Sequence, residues 1–148
     1  IIYLVMNICA FGCIFMMKRE NIYYENIKDL SGLSQNHPLL ALSFLIVLFS
    51  LAGIPPLAGF FAKFYIFMAV IEAEMYALAI IGLITSVVSA FYYLRIIKII
   101  YFDKFIKPFD QIKNINIIGT IFISCIILIT FFLYPAFLNN IVNSVFPY

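Results

Sequence analysis

The chain has no tryptophan, one histidine, three cysteines, six glycines and six prolines in 148 residues. Charge is also scarce: 11% of residues are Asp, Glu, Lys or Arg, and the formal net charge is +2. So small a net charge, with no basic tract, excludes a nucleic-acid-binding surface. No Gly-rich phosphate loop, no nucleophile beside a base and no cluster of metal ligands can be read along the chain. No catalytic centre, cofactor site or metal site is therefore expected in it. Cys9, Cys13 and Cys125 all fall inside apolar runs. Cys9 and Cys13 share a helix face at i, i+4, but no His or further Cys stands at ligand spacing, which is the pattern of packing residues. The first apolar run ends at Met17 and has neither a charged leader nor a small-residue cleavage site. It reads as a genuine span rather than a signal peptide, and the lack of an initiator Met leads to the expectation that its start is truncated.

Apolar residues are plentiful: 66% of the chain is hydrophobic, with 17 Phe, 10 Tyr and a mean hydropathy of +1.11. A soluble core of this size cannot hide that much apolar surface, so an all-α integral membrane protein is expected, with 1–148 as one membrane domain. The abundance of Ile, Asn, Phe, Tyr and Lys, residues with AT-rich codons, points to an organellar or AT-rich bacterial genome. Four spans are expected, at about 1–17, 38–70, 76–102 and 115–139, the last bent or ended by Pro135 and followed by a short tail. Between the first two, Asn26 to Leu33 has the spacing of a short amphipathic surface helix, with Ile27, Leu30 and Leu33 on one side.

Four spans put both chain ends on one side of the membrane. Lys18, Arg19, Lys28, Arg95, Lys98, Lys104, Lys107 and Lys113 share the other side, leaving Lys63 as the ninth basic residue. The positive-inside rule makes that basic side the matrix or cytoplasm. Glu72 and Glu74 lie on the opposite side.

The second span carries the most information. A straight helix from Pro38 to Val70 would be about 50 Å long, against about 30 Å of hydrocarbon. Near its middle is Gly53-Ile-Pro-Pro-Leu-Ala-Gly59. Pro55 and Pro56 have no N–H and clash with the preceding turn, and Pro55 drives Ile54 from helical angles. Two half-helices joined by an unwound link at 53–59 are expected, with Gly53, Pro55, Pro56 and Gly59 forming the break. Such a link persists at membrane depth only when covered by protein or lining a wet cavity. Lys63 is the only charge between His37 and Glu72. A Lys near the bilayer centre costs about 2.5–3.5 kcal/mol and is a functional candidate by default. Snorkelling is a poor alternative so far from either end of the span. Desolvation penalises an ammonium and a water chain or carboxylate offsets that penalty, so such a group can take and release a proton as its surroundings change.

Other polar residues have two readings each. His37, before Pro38, is either an interfacial residue at the start of a helix or a relay where protons enter. Glu72 and Glu74 are either solvated loop carboxylates or an exit mouth. In the third span Gly82, Ser86 and Ala90 form a small-residue stripe that admits another helix. Thr85, Ser89 and Tyr92 near it either line a proton wire or bond carbonyls of their own helix. Arg95 and Lys98 either snorkel or meet a lipid phosphate or a neighbouring subunit.

The stretch SLAGIPPLAGFFAKFYIF (50–67), with SAFYYLRIIKIIYF (89–102) and DLSGLSQNHPLLAL (29–42), resembles the antiporter-like membrane subunits of respiratory complex I. Within that family it is most similar to the subunit 2 type, called subunit N in bacteria. The subunit 4 type tends to carry Glu where Lys63 stands and the subunit 5 type follows its Lys with Asp, whereas this chain has Lys63-Phe64-Tyr65. The resemblance covers residues 1 to about 140. It implies the last four helices of an antiporter-like fourteen-helix fold, with the broken span as the discontinuous twelfth helix and Lys63 as the terminal Lys of a chain of buried ionisable groups. It implies a non-redox, proton-translocating role in an NADH:ubiquinone reductase, with NADH, FMN, iron–sulfur clusters and quinone in other subunits. The partners implied are other membrane-arm subunits and lipids. The location implied is the mitochondrial inner membrane with basic loops toward the matrix, or alternatively a bacterial plasma membrane. The family's earlier buried Glu and Lys residues lie upstream of this chain, so the first ten helices are expected on a separate polypeptide or in a part of the sequence not present here. Two readings from other classes stay open: a subunit of a cation/proton antiporter driven by ion gradients, and a purely structural helix bundle.

Overall fold

The computed structural model describes residues 1–19, 22–23, 26–104 and 115–133. The expected bend at Pro135, the tail beyond it and the connection carrying Lys107 and Lys113 lie outside the described residues. Helix α1 spans Ile2–Phe15, α2 Leu33–Asn36, α3 Pro38–Ala52, α4 Ala58–Glu72, α5 Tyr76–Phe102 and α6 Ile115–Leu133. Between α1 and α2, β1 (Lys18–Arg19) pairs antiparallel with β2 (Ile22–Tyr23), and Ile27–Leu30 forms a 3-10 turn. Among the described residues only α5 is long and apolar enough to cross a membrane alone, while Ile2–Phe15, Pro38–Ala52 and Ile115–Phe131 are shorter apolar helices.

The core is built around α3. Leu40, Ala41, Phe44, Val47 and Leu48 of α3 meet Met6, Cys9 and Cys13 of α1, and Ile121, Cys125 and Leu128 of α6. All three cysteines are buried and unpaired, with the sulfurs of Cys9 and Cys125 3.6 Å apart. The last third of α5 also packs on α3, and Ile97 and Ile100 are buried there. The earlier part of α5, from Tyr76 to Leu94, buries no residue fully.

Two expectations are corrected here. Asn26–Leu33 is not one surface helix. It breaks at Gly32, whose φ of +68° ends the 3-10 turn and starts α2. The Gly32 N–H donates to the Ile99 carbonyl (3.3 Å), and Leu30 and Leu33 are buried while Ile27 stays exposed. The segment docks on α5 at the end carrying Arg95 and Lys98, because a tertiary hydrogen bond outcompetes the local helical repeat. The second correction concerns the break: the non-helical link runs from Gly53 to Leu57, and Gly59 belongs to α4.

Candidate functional site

The break is closed off on both sides. At the end of α3, Gly53 takes φ +83°. Its N–H donates to the Ser50 carbonyl (3.0 Å) and the Ile54 N–H donates to the Phe49 carbonyl (3.0 Å). This is a Schellman ending, which satisfies two of the last four carbonyls of a helix. Beyond it Pro55 and Pro56, joined by a cis peptide bond, hold the chain out of helical register until Leu57.

The start of α4 has no cap from its own Leu57. The cap comes from α3 instead: the fully buried Ser50 hydroxyl accepts the Gly59 N–H (3.0 Å) and donates to Met6 Sδ of α1 (3.1 Å). Gly59 is required for this approach, since a Cβ there would run into the Ser50 carbonyl oxygen. Its role is a helix–helix contact.

Lys63 lies one turn further along α4 and folds back across the break. Its Nζ donates to the Ala52 carbonyl (3.1 Å), at the C-terminal end of α3, and to Ser86 Oγ on α5 (2.8 Å). The carbonyl belongs to the negative pole of the α3 dipole, where a cation is favoured. Hydrogen bonds from a charged donor contribute about 1.5–3 kcal/mol each. Two of them offset the about 2.5–3.5 kcal/mol cost of placing Lys at membrane depth. Gly53 makes room as well, since a Cβ there would sit 2.9 Å from Lys63 Cδ.

Helix α5 presents its small-residue stripe to α4. Ser86 meets Lys63, and Gly82 faces Phe67, where a Cβ would come within 3.0 Å of the ring. Two clefts flank the Lys63 side chain. One, of about 260 Å³, is lined by Ile66, Phe67, Gly82, Thr85, Ser86 and Ser89. The other, of about 470 Å³, includes Ala52, Gly53, Phe60, Phe64 and Leu83.

The structure brings only some of the candidates together. Lys63 and Gly53 line the larger cleft together, and Thr85 and Ser89 share the smaller one with Lys63. The hydroxyls of Thr85 and Ser89 donate back to the carbonyls of Gly82 (3.0 Å) and Ser86 (2.8 Å) in their own helix. Tyr92 is exposed and its ring packs edge-on against Phe91, outside the cleft. Glu72 is nine residues beyond Lys63, about 13 Å along α4. His37 is at the far end of α3, about 22 Å from Ala52. Glu74 sits in the turn to α5 at φ +57°. Two functional side chains went unseen in the sequence. Ser86 stood out only as a member of the small-residue stripe, and Ser50 carried no signal beyond being a hydroxyl in an apolar run. Both act on residues of another helix.

A profile of the family described as "NADH:quinone oxidoreductase/Mrp antiporter, TM" matches residues 1–89. The chain is 58% identical over 144 residues to NADH-quinone oxidoreductase subunit N of Pelagibacter ubique, covering 97% of this chain and 31% of that protein. It is 53% identical over 136 residues to the subunit N of Parvibaculum lavamentivorans, covering 92% and 28%. Among solved structures, a chain of respiratory complex I from Thermus thermophilus with bound aureothin superposes with a TM-score of 0.75 at 29% identity, covering 91% of this chain and 32% of that one. The chain thus spans about a third of the length of the curated relatives it matches. These relatives are bacterial, and they lend no support to the mitochondrial location.

Proposed function

The chain belongs to the NADH:quinone oxidoreductase/Mrp antiporter transmembrane family, and from that premise we propose that it is the C-terminal part of a subunit N, the proton-translocating membrane component of an NADH:quinone oxidoreductase. It is a helical membrane protein of the antiporter-like fold. The observation that carries the reading is the Lys63 site: a lone ammonium at a helix break, held by the freed Ala52 carbonyl and the Ser86 hydroxyl beside two clefts.

Proton transfer is the chemistry such a site offers. Lys63 holds a proton while its two acceptors are in place, and lengthening either bond lowers the stability of the ammonium. Both acceptors lie on other helices, α3 and α5, so any shift of α4 against them changes how firmly the proton is held. In this reading redox-driven changes elsewhere in the complex supply that shift. NADH, flavin, iron–sulfur clusters and quinone belong to other subunits, and the remaining helices of subunit N complete the path. The basic end, with Lys28, Arg95, Lys98 and Lys104, faces the cytoplasm of a bacterial plasma membrane. The Glu72 end faces outward, so Lys63 lies on the outer half of the broken helix, where protons are released.

The test is Lys63→Met in the whole assembly, with proton movement measured in inside-out membrane vesicles alongside electron transfer. Pumping is expected to fall sharply in an assembled complex. Normal proton stoichiometry would sink the proposal and favour a static, structural Lys63. Subunit content separates the gradient-driven antiporter reading, since co-purification with large hydrophilic redox subunits excludes it.

A further inference from the structure

We propose that Ser86 is the hydroxyl through which the Lys63 proton leaves its site, so that α5 supplies a proton-relay group as well as a packing surface. The inference rests on the reading of Lys63 as a proton-transfer residue and extends it to a second helix.

Among the described residues Lys63 Nζ has two acceptors, and they differ in kind. The Ala52 carbonyl can hold a proton donor in place but has no proton of its own to pass on. Ser86 Oγ accepts from Lys63 at 2.8 Å, and a hydroxyl can accept and donate at once. Ser86 also lines the cleft of about 260 Å³ together with Thr85 and Ser89. That is an open groove with room for several waters. The hydroxyl hydrogens of Thr85 and Ser89 are engaged with carbonyls of their own helix, which leaves their oxygens as acceptors facing such waters. On α4 and α5 the nearest ionisable side chains in sequence to this pair are Tyr65, Glu72, Tyr92, Tyr93 and Arg95, and Tyr93 packs against the apolar core and lines neither cleft. Tyr65 and Tyr92 are exposed and line neither cleft. Glu72 and Arg95 lie about 13 Å along their helices. Among the described residues of these helices, hydroxyls and water are therefore what a proton leaving Lys63 meets first.

One N–H bond of the Lys63 ammonium breaks as its hydrogen bonds covalently to Ser86 Oγ. The original O–H bond of Ser86 breaks in concert, and that hydrogen passes to a water in the cleft. The products are a neutral amine, an intact Ser86 hydroxyl and a hydronium ion. One positive charge has moved and no electrons are exchanged.

Ser86 has a bland role too, as a small residue between Gly82 and Ala90 that lets α4 approach α5. The two roles predict opposite mutant orders. Packing alone tolerates Ser86→Ala, which only removes an oxygen, and suffers from Ser86→Thr, which adds a methyl group. A relay fails in Ser86→Ala and survives in Ser86→Thr. The experiment compares both with Lys63→Met in the assembled complex, reading protons moved per electron pair in membrane vesicles. We expect Ser86→Ala to lower that ratio threefold or more, and Ser86→Thr to retain the greater part of it. Should Ser86→Ala not assemble, Ser86→Gly makes the same deletion and carries the same expectation. Normal pumping by the hydroxyl-less variant, with pumping lost in Lys63→Met, overturns the relay and leaves the Lys63 reading standing. Normal pumping by Lys63→Met overturns both.

Discussion

Replacing Gly59 by alanine tests how the broken helix is held together. The added Cβ would overlap the Ser50 carbonyl oxygen and lie 2.6 Å from its carbon and 3.0 Å from its Oγ. Backbone atoms cannot swing aside as a side chain can, so α3 and α4 must part by about 1.5 Å to restore van der Waals contact. Forcing extra volume into a packed contact costs about 1–3 kcal/mol. The same movement stretches the 3.0 Å bond from Gly59 N–H to Ser50 Oγ beyond hydrogen-bonding range. A buried donor left without an acceptor costs a further 1–3 kcal/mol or so. Against these stands a gain of about 1 kcal/mol for Ala over Gly inside a helix. The balance is a loss of about 1–5 kcal/mol, centred near 3. The assay is the amount of assembled complex in membranes and the temperature at which its coupled activity is lost. Gly119→Ala is the control, since nothing of the chain lies within 4 Å of a Cβ there, and it should be neutral or slightly stabilising. A Gly59→Ala complex that assembles fully and inactivates at the parent temperature would refute the contact and the cap together.

Other substitutions probe the neighbouring elements. Ser50→Ala removes the cap from α4 and leaves the Gly59 N–H buried, at a cost of about 1–2 kcal/mol, which should appear as faster inactivation in detergent. Gly53→Ala must adopt φ +83°, costing about 1–2 kcal/mol, and its Cβ presses on Lys63 Cδ. Proton pumping should therefore fall along with stability, whereas Ser50→Ala should weaken stability more than pumping.

The sequence carried the local decisions. Pro55 and Pro56 lack the N–H that a continuous helix needs, so a break between two half-helices was legible without any partner. The same holds for α5, an uninterrupted apolar stretch ending in Arg95, Lys98 and Tyr101, and for the burial of the three cysteines in apolar runs. Lys63 stood out because a single charge among apolar neighbours is costly wherever the helix lies.

Tertiary structure decided who meets whom. Ala52 and Ser86 bond Lys63 from 11 and 23 residues away, and Ser50 caps a helix that begins beyond two prolines. The helical period says which residues share a face, but not the crossing point or rotation that sets one face against another. For that reason Gly59 read as part of the link when it is the contact between the half-helices. For the same reason Thr85, Ser89 and Tyr92 looked equivalent in the sequence, and Ser86 stood apart from them only as part of the small-residue stripe. In the fold Ser86 touches Lys63, Thr85 and Ser89 line the cleft beside it, and Tyr92 lies outside it.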